Sequence, residues 1–67
     1  MSFERLVARV EGEYREMPGL SLTTRQASRL WDMHLSVCEQ VLTALVMKGV
    51  LYNTSRGTYI AMSSDRS

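Results

Sequence analysis

The one histidine and the one cysteine of this 67-residue chain, His34 and Cys38, stand four residues apart, a spacing that places two metal ligands on one side of a helix. Two ligands fall short of the four that a structural zinc takes. Cys38 also shares its helical face with Val41 and Leu42, and on a buried stripe a thiol behaves as a small hydrophobe. With one His and one Cys on the same helix, a nucleophile, a base and an orienting group cannot be assembled, so neither catalysis nor a metal or other cofactor is expected. A lone cysteine makes no internal disulfide, and nothing in the chain requires an oxidising compartment. What remains is hydrogen bonding and charge. Ser36, Gln40 and Thr43 recur at helical spacing, Arg25 and Arg29 lie four apart behind Thr23 and Thr24, Lys48 ends a periodic run, and Arg56 precedes Gly57.

The elements that must position these residues follow from periodicity. Phe3, Leu6, Val7, Val10, Tyr14 and Met17 form one stripe of period 3.6 and predict a first helix, starting at Ser2 and stopped by Pro18-Gly19. Gly12 lies off that stripe and weakens the helix by roughly 1 kcal/mol relative to Ala. Leu20-Ser21-Leu22 alternates and predicts a short strand. Thr23-Thr24-Arg25-Gln26 matches a capping box and opens a second helix, with Ala27, Leu30 and Trp31 inward and Arg25, Gln26 and Arg29 outward. Trp31 is expected at the centre of the core. Asp32-Met33-His34 predicts a tight turn in which Asp32 takes the left-handed conformation.

The third helix begins at His34 or at Ser36, since Ser36 to Glu39 is itself a capping-box spacing. Its buried stripe is Leu35, Cys38, Val41, Leu42, Leu45 and Val46, and Gly49 after Lys48 caps its end. Beyond Gly49 the period becomes two. Val50-Leu51-Tyr52 and Thr58-Tyr59-Ile60 flank the polar Asn53 to Gly57, which predicts a hairpin. The expectation is an α+β fold, mostly α, in one domain over 1–62, followed by a flexible polar tail over 63–67.

Composition agrees with one small globular domain: 45% of residues are hydrophobic and 22% charged. No apolar run approaches the roughly 18 residues of a membrane span, and the N-terminus lacks the order of a signal peptide, so a cytoplasmic location without membrane contact is expected. The net charge of +1 conceals a gradient. Residues 1–17 carry three arginines against four glutamates, a net −1; residues 18–62 carry Arg25, Arg29, Lys48 and Arg56 against Asp32 and Glu39, a net +2.

Helix, short strand, helix, tight turn, helix and hairpin is an order with a known counterpart. The stretches Leu22-Thr23-x-x-Gln26-Ala27-x-x-Leu30-Trp31, then Cys38-x-x-Val41-Leu42-x-x-Leu45-Val46-x-x-Gly49-x-Leu51, then Gly57-x-Tyr59, resemble small bacterial winged helix-turn-helix DNA-binding proteins, over about residues 3 to 62. The pattern departs from that family at Asp32, where the turn often has Gly, and at His34, where an Asp commonly caps the third helix. The resemblance implies a winged helix-turn-helix fold, with helix three in a DNA major groove and the hairpin wing on the neighbouring backbone or minor groove.

On that fold Ser36, Gln40 and Thr43 are the base-reading candidates, Gln40 by donating to adenine N7 and accepting from its N6. Thr23, Thr24, Arg25 and Arg29 are candidates for phosphate around helix two, Lys48 for phosphate at the end of helix three, and Arg56 for phosphate or minor groove at the wing tip. The function so implied is sequence-specific duplex DNA binding by a small transcriptional regulator, with a homodimer through helix one because its stripe is wider than one small core covers. Many family members carry Arg or Lys on the exposed face of helix three. Here that face is Ser36, Glu39, Gln40, Thr43 and Met47, which leaves open a winged-helix protein-interaction module, of accessory or phage type, docking through the Tyr14-Met17 end of helix one or the Met47 face without binding DNA.

Overall fold

Except at the start of the third helix, the helices begin and end where the sequence supplies a partner for the orphan backbone groups of a helix end. The computed structural model describes residues 2–62, so the tail expected over 63–67 lies outside the described residues. Helix α1 spans Phe3–Glu16, and the Ser2 hydroxyl accepts from the Arg5 amide at 3.2 Å. The Met17 amide closes the helix onto the Glu13 carbonyl, and the Leu20 amide returns to the Met17 carbonyl at 2.9 Å across Pro18-Gly19. That last bond takes Leu20 out of the sheet. Strand β1 is therefore Ser21–Thr23, one residue later than the alternation predicts.

Helix α2, Thr24–Leu30, carries the full capping box: the Gln26 amide donates to Thr23 Oγ1 at 3.1 Å, and the Thr23 amide donates to Gln26 Oε1 at 2.9 Å. It ends on Asp32 at φ 52°, with the Met33 amide donating to the Ser28 carbonyl at 3.0 Å and the Ser28 hydroxyl to the Met33 carbonyl at 2.7 Å. This is the six-to-one bond of a Schellman ending, with Asp in the place usually held by Gly. Helix α3 spans Leu35–Met47 and begins at the earlier of the two expected positions; His34 precedes it and makes no side-chain cap bond. A complete Schellman pair ends it, Gly49 amide to Val46 carbonyl at 3.0 Å and Val50 amide to Leu45 carbonyl at 2.9 Å, with Gly49 at φ 79°.

Strands β2, Leu51–Asn53, and β3, Thr58–Ala61, form the hairpin, and β1 adds to its other side. The result is a mostly helical α+β fold with a three-stranded antiparallel sheet in the order β1-β3-β2. Leu22 and Asn53 both pair with Tyr59, so β3 is held from two sides. Among the described residues, no helix is long and apolar enough to cross a membrane.

One core joins these elements: Val7, Val10 and Tyr14 of α1, Ala27 and Trp31, Cys38, Val41, Leu42 and Leu45 of α3, and Leu51 and Tyr59 of the sheet. Tyr14 and Trp31 meet with ring centroids 6.1 Å apart, inclined at 57°, and the Tyr14 hydroxyl donates to the Tyr59 carbonyl at 2.9 Å. Burial, and then the proximity of Cys38 and Tyr59, pushes the Tyr14 hydroxyl up to about 12. Burial also raises the Cys38 thiol.

Two leucines expected in the core lie outside it, Leu30 at 55% exposure and Leu35 at 46%. Seven-residue α2 needs only Ala27 and Trp31, one turn apart, to meet the core, and Leu30 points about 100° away from Trp31. Leu35 is the first residue of α3 and overruns the core, while Val46 at the far end is half-buried. Phe3 and Met17, the ends of the α1 stripe, are also half-exposed.

Truncating Trp31 removes a buried aromatic, a change of about 3–5 kcal/mol, which approaches the whole stability of a chain this short. Trp31→Ala is expected to abolish the cooperative melt followed by circular dichroism, and a wild-type melt would contradict its central place. A second expectation is alkaline instability. Because the folded-state Tyr14 hydroxyl titrates near 12 and an unfolded one near 10, its contribution is complete below pH 10 and is lost as pH rises to 12, a fall of about 2–3 kcal/mol. Denaturant titrations across that window should show the fall in the parent and a flatter profile in Tyr14→Phe.

Candidate nucleic-acid interface

Burying Cys38, Val41, Leu42 and Leu45 turns the opposite side of α3 to solvent. Ser36, Gln40, Thr43 and Met47, spaced four, three and four, form one stripe there, and all four are exposed, Met47 at 83%. At 1.5 Å per residue the stripe is about 16 Å long. It is uncharged. Glu39, the one charged residue within α3, lies about 100° around the helix from Gln40 and is exposed beside the stripe. A shallow hollow on this face is lined by Glu39, Gln40, Thr43, Ala44 and Met47.

Of the elements that pack against α3, α1 carries Arg5, Arg9 and Arg15 among four glutamates, while α2 and the hairpin carry the cations expected to meet phosphate. Arg25 and Arg29 project from α2, one turn apart and both exposed. Arg56 sits in the turn after β2, the strand that also packs on α3. The turn is well braced: the Gly57 amide donates to the Thr54 carbonyl at 2.9 Å with Gly57 at φ 83°, and Thr54 Oγ1 accepts from the amides of Arg56 and Thr58 at 3.2 and 3.3 Å. The hydroxyls of Thr54 and Thr58 are 2.7 Å apart. The backbone is thereby tied down and the Arg56 side chain is left exposed. Among the described residues, Arg25, Arg29 and Arg56 take part in no ion pair.

The remaining candidates are placed differently. Lys48 Nζ is 3.3 Å from Glu11 Oε1, and Glu11 Oε2 is 2.9 Å from the Arg15 guanidinium, so Lys48 fastens the end of α3 to α1. Thr23 and Thr24 are half-buried. The Thr23 amide and hydroxyl oxygen are committed to the capping box, and the Thr24 carbonyl accepts from the Cys38 thiol at 3.7 Å. Cys38 faces the core while His34 is exposed, so the two do not converge; among the described residues no group of three or more His, Cys, Asp or Glu is placed to hold a metal.

Four exposed apolar residues were outside the sequence-derived candidates: Leu30 and Leu35, which bracket the turn between α2 and α3, Tyr52 on the hairpin, and Met62 after β3. The shortness of α2 was the available signal for Leu30. For the hairpin, alternation shows that one tyrosine faces out, and the structure selects Tyr52, with Tyr59 buried. Compared with protein-family models, curated proteins and solved structures, the chain matches none.

Proposed function

We propose that this chain is a winged helix-turn-helix domain that binds duplex DNA sequence-specifically, as a small transcriptional regulator, with α3 in the major groove and the β2–β3 turn as the wing. The observation that carries this reading is the division of labour around α3: an uncharged hydrogen-bonding stripe on the helix itself, and three unpaired arginines on α2 and the hairpin, two of the elements packed against it. Base edges call for neutral donors, acceptors and methyl groups, whereas phosphates call for cations. The bent pair α2–α3, joined through left-handed Asp32, and the hairpin after α3 supply the matching element order.

In this reading Arg25 and Arg29 lie along one strand's phosphates and Arg56 reaches the backbone or the minor groove beyond. Ser36, Gln40 and Thr43 face base edges. Lys48 contributes less than its charge suggests, because Glu11 already neutralises it. Thr23 and Thr24 contribute least, being half-buried and committed to the helix start.

A second reading, a protein-interaction module that does not bind DNA, is favoured by one observation, the extreme exposure of Met47, next in sequence to Lys48 of a mostly apolar hollow between α1 and α3 that is also lined by Phe3, Glu4, Val7, Ala8 and Ala44. Of the α1 end expected to dock, Tyr14 is buried and only Met17 is available. A second copy of the chain would use the same half-exposed ends of α1, Phe3 and Met17; sedimentation showing only monomer at high micromolar concentration, free and on DNA, removes the homodimer.

Salt separates DNA from protein as partner. Each phosphate contact adds about −0.9 to the slope of log affinity against log salt, so replacing Arg25, Arg29 and Arg56 together by Ala should flatten the slope by roughly 2 to 3 units. If the parent shifts no duplex even at low salt, the DNA reading falls and the apolar interface, nearly indifferent to ionic strength, takes its place.

A further inference from the structure

We infer that the duplex seated on α3 presents A·T pairs to Gln40, Thr43 and Met47, a base preference that rests on the DNA-binding reading and narrows it. Guanine is read in the major groove chiefly by a bidentate Arg or Lys on O6 and N7. The exposed stripe of α3 has neither. The one cation at that end of the helix, Lys48, is drawn to Glu11 on the side facing α1. Arg25, Arg29 and Arg56 stand on other elements, where phosphates are the nearer partners.

What the stripe does offer suits adenine and thymine. The Gln40 amide has one donor and one acceptor at the spacing of adenine N7 and N6. Thr43 adds a methyl beside its hydroxyl, and Met47 adds a flexible thioether whose apolar surface is almost wholly in solvent. The thymine C5-methyl is the one apolar group on a major-groove edge, and it is the feature that such side chains can recognise. An exposed Met also loses water on meeting that methyl, a gain that no G·C edge returns. Glu39 is the single competitor, since a carboxylate accepts from the cytosine amino group. It stands about 100° from Gln40 but one turn before Thr43, lining the same hollow, so its contribution is a cytosine preference at that flank, offset by its repulsion from phosphates. The stripe of about 16 Å covers roughly five base-pair steps of 3.4 Å.

The test uses the intact 67-residue chain and a randomised duplex library at low salt, with bound sequences read out, followed by competition titrations. The expected result is an enriched core of A·T pairs. Within it Gln40→Ala should lose the preference for adenine at one position, roughly a 5- to 150-fold change, with the salt slope unaltered, and Gln40→Arg should move that position to guanine. Replacing the core thymines by uracil, which deletes only the C5-methyl, should weaken the parent and leave Met47→Ala almost unaffected. Enrichment of G·C in the core, or an A·T preference that Gln40→Ala and Met47→Ala both leave intact, overturns the inference; the latter would trace the preference to groove shape. Binding without any enrichment overturns it while duplex binding stands. No retained duplex at any salt removes both.

Discussion

The hydrogen bond from the Tyr14 hydroxyl to the Tyr59 carbonyl, closed over by Trp31, is the contact on which the remaining geometry depends. A phenol sunk in an apolar core needs a partner, because a buried unsatisfied hydroxyl costs about 1–3 kcal/mol. Only one polar atom answers it, and that atom belongs to the middle residue of the middle strand. Tyr59 is paired with Leu22 on one side and Asn53 on the other, so a single bond aligns α1 with all three strands. Trp31 leans on the same ring from the end of α2. The chain then turns at Asp32 and begins α3 three residues later, so the orientation of α3 is inherited from the Tyr14–Trp31 pair.

The parts of the fold that are legible in the sequence are those with local causes. The capping box at Thr23 and Gln26, the left-handed Asp32 and the Gly49 ending all lie within a few residues of the bonds that fix them. The outward stripe Ser36, Gln40 and Thr43 was equally legible, because a helical period with a buried side determines the opposite side. Tertiary placement was not. Leu30 and Leu35 match the apolar pattern, yet whether an apolar residue at the end of a helix is covered depends on how far the neighbouring elements reach. The one-residue shift of β1 has the same origin, since the Leu20 amide is claimed by the Met17 turn. Lys48 is the clearest case at the candidate site: its partner Glu11 is distant in sequence, and no local pattern announces the pair.

That pair also reshapes the electrostatics. A net charge of +1 spread over this surface exerts no useful long-range pull, and within a Debye length of about 8–10 Å only local groups act. Glu11 engages both Arg15 and Lys48, so its single negative charge offsets one of the two and leaves the trio at a net +1. Arg5 and Arg9 belong to α1, where Glu4, Glu13 and Glu16 offset them in net charge and, among the described residues, make no ion pair with them. On α2 and the hairpin turn the unpaired positive charge is Arg25, Arg29 and Arg56.

Three cations set a ceiling on non-specific attraction, and the ceiling bears on the proposed function. A slope near −2.7 means that raising salt from 50 to 200 mM weakens binding by only about 40-fold, whereas a regulator with six to ten phosphate contacts loses a thousandfold or more. Weak non-specific attraction carries an advantage and a demand. Fewer of the competing genomic sites are occupied, so modest base contacts suffice to set apart the right one. Yet the affinity for that site must then come from base edges, from methyl contacts such as Met47 provides, or from pairing two copies on one duplex. Under the proposed function an uncharged face suits such a balance: a cation on α3 would add a phosphate attraction common to all sequences besides any guanine contact, while Gln40, Thr43 and Met47 would add affinity only where the matching bases stand.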